Sequence, residues 1–149
     1  MLSMEDQATM EARLKDFLVH AESHWAALVD KSGNLYVQAG DTGVLDLNTV
    51  SALAAGSFAA TREIARRLGE GEFMALYHEG QNSSIFMNAL DFDCLLLTVF
   101  EQKTNIGLVR FYAHQLTQML NSDLHLAQQR NIHAEPLQIE ADLRNKALF

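Results

Sequence analysis

His20 and His24 stand four residues apart, the spacing at which one helix face could offer two imidazoles to a metal ion. The helix would have to run through both. His24 instead abuts Trp25 at the start of a strand-like run and no third ligand lies nearby, so the pattern favours no metal site. His78 and Glu79 are adjacent in a segment of strand character, which sends them to opposite faces and keeps them from acting as a dyad. No serine sits in a nucleophile-elbow string, and no Gly-x-x-x-x-Gly-Lys-Ser/Thr loop is present to cradle nucleotide phosphates. Gly69-Glu70-Gly71 is a helix stop whose acid repels phosphate. Cys94 opens an apolar strand and reads as a small core residue rather than a nucleophile. These residues point to no catalytic group, no metal and no cofactor.

Arg62, Arg66 and Arg67 crowd one short stretch, and an arginine supplied in trans can stabilise the charge of phosphoryl transfer. Arg62 and Arg66 share a helix face at i,i+4. A solvated face, or a contact with the acidic edge of another protein, accounts for them better than a catalytic finger, which needs a reaching loop.

The elements that must position these groups follow from periodicity. Met10, Leu14, Phe17, Leu18 and Ala21 recur at helical spacing behind a capping pair, Ser3 and Asp6, and predict a first helix to about Glu22. Trp25 to Asp30 and Leu35 to Ala39 flank Lys31-Ser32-Gly33-Asn34 and predict a hairpin. Asp46 then caps a second helix, with Leu47, Val50, Ala54, Phe58, Thr61, Ala65 and Leu68 on one stripe and Gly69 as its stop. Three strands follow, Phe73 to Glu79, Ser84 to Leu90 and Cys94 to Phe100, joined by short turns as an antiparallel meander. The last of these is apolar on both faces, so a central position is expected for it. From Thr104 or Asn105 a final helix of about six turns carries Val109, Tyr112, Ala113, Leu116, Met119, Leu120, Leu124 and Ala127.

The order is helix, two strands, helix, three strands, helix. It predicts an α+β layered domain in residues 1–130, a five-stranded antiparallel sheet with helices on both faces. Pro136 interrupts the pattern, and residues 131–149 read as a C-terminal tail, a short helix or disordered.

The second helix is unusual for its small residues. Ala52, Ala55, Gly56, Ala59 and Glu63 form a stripe distinct from Leu47, Ala54, Phe58 and Ala65, although Gly56 costs about 1 kcal/mol of helix propensity relative to Ala. Such a face admits the close approach of another backbone, either the chain's own sheet or a partner.

The chain has 149 residues, 48% hydrophobic and 20% charged with a single proline, which excludes collagen and low-complexity classes. Its net charge of −8 opposes nucleic acid or an anionic membrane as the main partner. No apolar run approaches the ~20 residues of a membrane helix. With one cysteine and no charged-then-apolar leader at Met1-Leu2-Ser3-Met4, a cytoplasmic protein is expected. The acidity is uneven: residues 1–30 carry −4 and residues 70–103 carry −5, whereas residues 31–69 carry +1 and 104–149 sum to zero. The second helix therefore lies in the least repulsive segment for an acidic partner.

The element order, with Leu28-Val29-Asp30-Lys31-Ser32-Gly33-Asn34-Leu35, Ser51-Ala52-Leu53-Ala54-Ala55-Gly56 and Asn105-Ile106-Gly107-Leu108-Val109-Arg110, resembles the Roadblock family of dynein light chains. These strings span about residues 24 to 120. Gly69-Glu70-Gly71-Glu72-Phe73, Tyr77-His78-Glu79-Gly80 and Ser84-Ile85-Phe86-Met87 are most similar to its bacterial gliding-motility branch, of the MglB type. The resemblance implies a homodimer that extends its sheet through paired third strands, sets its second helices side by side, and docks a Ras-like small GTPase of the MglA type on them. It implies stimulation of GTP hydrolysis in polarity or motility control, by remodelling the GTPase's own catalytic residues and without an active site or arginine finger here. On this sequence it implies a GTPase-binding surface at Ala52, Ala55, Gly56, Ala59, Ala60, Glu63 and Arg66, and a dimer interface at Phe73, Ala75, Tyr77, Phe58 and Arg62. Two other classes stay open: a non-catalytic scaffold or sensory adaptor, and a metal-dependent enzyme using His20 and His24.

Overall fold

Ser3 and Asp6 close a reciprocal capping box, the Asp6 N–H donating to Ser3 Oγ at 3.0 Å and the Ser3 N–H to Asp6 Oδ2 at 2.9 Å. Behind it runs α1, Met4–His20. The structure, a computed structural model, describes residues 2–43 and 45–147, with side chains through residue 131. After α1 come β1 (Trp25–Asp30), β2 (Leu35–Gly40), α2 (Leu47–Arg67), β3 (Ala75–His78), β4 (Ser83–Ala89), β5 (Cys94–Glu101) and α3 (Ile106–Ala147). The predicted order of elements is the observed one. The strands form one antiparallel sheet in the order β2-β1-β5-β4-β3, with β5 central as expected and β3 at an edge.

Strand alternation divides the core in two. Ala26, Leu28, Leu96, Phe100 and Phe86 face α1 and α3, which cover them with Met10, Leu14, Phe17, Val109, Leu116 and Leu120. Trp25, Ala27, Val29, Met87, Leu95, Leu97 and Val99 face α2 alone, which contributes only Ala54, Ala55 and Phe58 as fully buried apolar groups. Each fully buried Leu or Phe stabilises the fold by about 1.5–3 kcal/mol, so the two-helix face carries most of the hydrophobic driving force. The thin cover from α2 explains its alanines, because small side chains let its backbone lie close to the sheet. Arg13 fastens α1 to α3 through a two-pronged bond to Asp123, at 2.5 and 3.1 Å. Arg130 pairs with Asp6.

Two ends of α2 are built as the sequence predicts. Asp46 Oδ1 accepts from the Thr49 N–H at 3.3 Å. At the other end Gly69 adopts φ +86°, with Glu70 N–H donating to Ala65 O and Gly69 N–H to Arg66 O, the paired bonds of a left-handed helix stop.

Other boundaries differ from expectation. β3 begins at Ala75 rather than Phe73, because the Phe73 ring turns onto Phe58 with centroids 4.9 Å apart. The α3 backbone continues through Pro136 to Ala147, where a break is predicted. A proline's φ is a helical value, and in a helix interior it forfeits one backbone hydrogen bond and crowds the preceding turn. The reading of residues 131–149 as a tail otherwise lies outside the described residues, since the side chains of 132–147 and all of residues 148 and 149 are not described.

Candidate functional site on helix two

The β1–β2 turn is the first support of the α2 surface. Asp30 holds it by accepting from the N–H groups of Ser32 and Asn34, both at 2.9 Å, and from Asn34 Nδ2 at 3.0 Å. Burial works to raise the Asp30 pKa, but these hydrogen bonds outweigh it and hold the carboxyl below its ordinary value. At the tip Gly33 takes φ +89° and presses on α2: a Cβ placed there would fall 2.4 Å from Ala52 Cα. Ala52 is thus backed on one side by the chain's own turn.

Around the helix, Ala52, Gly56, Ala59 and Glu63 recur at i, i+4, i+7 and i+11 and are all exposed. Ala60 and Arg66 are exposed as well. A Cβ added at Gly56 would meet nothing within 4 Å, so the described residues give no reason for glycine there. Ala55 is the correction in this set. It is 2% exposed and packs on the sheet with Ala54 and Phe58, because its place on the helix turns it inward between Ser51 and Phe58.

The expected dimer residues do not share one surface. Phe58 is 2% exposed, wedged between Phe73 and the guanidinium of Arg62, which lies 5.0 Å from its ring centroid. Ala75 and Tyr77 alternate onto the opposite face of the sheet, where Tyr77 stacks on Phe100 with centroids 6.0 Å apart. The β3 edge brings the two groups near one another only through its backbone. Arg62 belongs instead to the side of α2 that meets the β1–β2 turn, where it lines a small cleft with Lys31, Ala59 and Asp93.

The three arginines also separate. Arg66 donates to Glu63 at 2.6 and 2.9 Å and Arg67 donates to it at 3.0 Å, so the two guanidiniums share one carboxylate on the helix surface and the cluster keeps a single positive charge. Those bonds hold the Glu63 carboxyl below its ordinary pKa. Arg62 has no carboxylate within ion-pair distance among the described residues.

The histidines go to unrelated places. His20 Nδ1 lies 2.9 Å from Asp16 O and its ring packs on Tyr112, while His24 Nε2 lies 2.8 Å from Glu101 Oε1. Among the described residues no group of three His, Cys, Asp or Glu side chains could hold a metal ion. Cys94 is 5% exposed, and burial, with the nearby charges of Asp30 and Asp93, pushes its thiol pKa up to about 11. No helix among the described residues is long and apolar enough to cross a membrane.

Sequence reasoning missed a second surface. Leu53, Ile64 and Leu68 are 69%, 59% and 77% exposed on α2, with Met74 58% exposed beyond it. Leu68 is predicted on the buried stripe, but α2 outlasts the sheet beneath it and its last turn projects into solvent. The available signal was that Leu53 and Ile64, three turns apart, fit neither the sheet stripe nor the small-residue stripe.

The chain is thus a layered α+β domain whose sheet has one face under a single alanine-rich helix, with an edge strand at β3 and exposed apolar groups along that helix. The chain belongs to the Roadblock/LC7 family, whose domain model matches residues 10–100. Among solved structures, MglB of Myxococcus xanthus is similar at 30% identity, covering 78% of this chain and 95% of its own, with a TM-score of 0.74. The gliding protein MglB of Thermus thermophilus is 23% identical over 83% of this chain and 93% of its own, with a TM-score of 0.77. A structure described as MglB with tetrameric arrangement is 22% identical over 85% of this chain and 96% of its own, with a TM-score of 0.80. A comparison with curated proteins returns no match.

Proposed function

We propose that the chain is a homodimeric regulator that binds a Ras-like small GTPase of the MglA type and stimulates its GTP hydrolysis, in the cytoplasm and in the control of cell polarity or motility. The observation that carries this reading is the exposed Ala52, Gly56, Ala59 flank of α2, in which Gly56 weakens the helix and no described group fills the space beside it. The 30% identity to MglB supplies the class of partner. Ala60, Glu63 and Arg66 border that flank, and Ala55 supports it from beneath.

Self-association is assigned to the edge of β3, at Ala75 and Tyr77, together with the exposed Leu53, Ile64 and Leu68. An edge strand with free backbone groups pairs readily with a second copy, and the apolar groups would be buried by it. Phe73, packed on Phe58, would support the interface from behind, whereas Arg62 lies on the other side of α2. Stimulation would act by repositioning the GTPase's own groups rather than by a donated arginine, since Arg62, Arg66 and Arg67 all sit on the body of α2 and not on a reaching loop.

The test is a GTP hydrolysis assay and a binding titration with the GTP-loaded partner. Faster hydrolysis and tighter binding of the GTP form are expected, and Ala59→Arg should abolish both while leaving the dimer folded. Unchanged hydrolysis and unchanged affinity would refute the reading; binding without a rate change would mark the chain as a scaffold or adaptor.

A further inference from the structure

We propose that the cleft between Lys31 and Arg62 receives a side-chain carboxylate of the protein that docks on α2, and so sets the register of the complex. This rests on the reading of α2 as a GTPase-binding surface.

The starting point is which cations are satisfied within the chain. Arg13, Lys15, Arg66, Arg67, Lys103 and Arg130 each pair with a carboxylate. Among the described residues Arg110, over the Phe86 ring, and Lys31 and Arg62 do not, although the chain carries a net charge of −8 and is rich in acids; of these three, Lys31 and Arg62 stand together. They come from separate elements, well apart in sequence, yet line one cleft, with Ala55, Ala59 and Phe58 as its floor and wall. Two unpaired cations held side by side on an acidic protein repel each other and attract an anion.

The Arg62 side chain and the backbone that carries Lys31 are held in place before any partner arrives. Lys31 sits in the turn that Asp30 ties down with three hydrogen bonds. The Arg62 guanidinium lies over the Phe58 ring, 5.0 Å from its centroid, which leaves its planar fork free to grip a carboxylate in two-point fashion. The cleft is small and open to the surface, so a side-chain carboxylate entering from outside can reach both cations. Ala59 belongs to both the cleft and the small-residue flank, so a protein lying along α2 would place its own side chains over the opening.

Asp93 also lines the cleft and opposes such an anion. It sits at φ +57° in the β4–β5 turn and reaches neither cation within ion-pair distance. It tunes the site without filling it.

The experiment measures the affinity of the intact dimer for the GTPase loaded with a non-hydrolysable GTP analogue, at two ionic strengths. Lys31→Ala and Arg62→Met should each weaken binding roughly fivefold and flatten its salt dependence, the upper end for a partly exposed charge pair. Asp93→Asn should tighten it. Arg62→Met retains an apolar cover on Phe58, and Lys31→Ala alters an exposed turn side chain, so the pair reports the cleft even where one variant loses stability. If the parent chain binds the GTPase while both variants bind with its affinity and its salt dependence, the cleft assignment is overturned and the α2 reading stands. If the parent chain does not bind the GTPase, both fall together.

Discussion

Gly33 and Ala52 are in direct backbone contact: a Cβ on Gly33 would lie 2.4 Å from Ala52 Cα and 2.6 Å from Ala52 N. The contact joins the β1–β2 turn to α2 and fixes where the helix crosses the sheet. Gly33→Ala has to strain a left-handed backbone and displace a helix backbone, together a loss of roughly 2–5 kcal/mol. Urea unfolding should read that loss, and a variant within about 0.5 kcal/mol of the parent, the noise of surface substitutions, would show that the turn does not press on α2.

Leu53 and Ile64 are exposed in the single chain, so replacing them should spare the fold and disrupt assembly. Size-exclusion chromatography with light scattering should give the parent twice the 16.6 kDa of one chain, and the Leu53→Asp, Ile64→Asp double variant the mass of one chain with unchanged helical content. A double variant that remains a dimer would place the interface elsewhere.

Cys94 should be unreactive while the protein is folded. Its thiol pKa of about 11 leaves almost no thiolate at neutral pH, and the side chain is 5% exposed. A thiol reagent at about pH 7.5, where even an ordinary thiol is only partly ionised, should label it only on addition of denaturant. The raised pKa also has a signed effect on stability: the folded state resists losing this proton, so stability is intact below pH ~8.5 and falls as pH rises from there toward 11. Cys94→Ala should remove that alkaline slope.

Asp30 works in the opposite direction. Its carboxyl is held below its ordinary pKa by the turn's hydrogen bonds, so its contribution is present above about pH 4 and lost as pH falls through the lower, folded-state value. Asp30→Ala should cost about 1–2 kcal/mol at neutral pH, and the difference from the parent should shrink on acidification toward about pH 2. Parallel acid-unfolding curves for the two proteins would contradict it.

The element order, the Ser3 and Asp46 caps, the Gly69 stop and the central, doubly covered β5 were all legible from sequence. Each depends on neighbours within a few residues or on a run of apolar groups too long to face solvent. The strings around Lys31, Gly56 and Gly107 made the family legible as well. The candidate site was only half legible. Alanine and glycine fit equally well against a sheet, a turn or a partner, so their periodicity could not tell inward Ala55 from outward Ala52, Gly56 and Ala59. Nor could it show that α2 runs past its sheet and leaves Ile64 and Leu68 in solvent.

What the sequence determined by itself is the set of amphipathic elements and their stops, since these arise from local hydrogen bonding and burial periodicity. Only the tertiary structure decided which flank of α2 the chain keeps for itself. That choice depends on the Gly33 turn lodging against Ala52, and on Lys31, Arg62 and Asp93 meeting from three separate elements. Such contacts are set by strand order and packing distance, which no local pattern encodes.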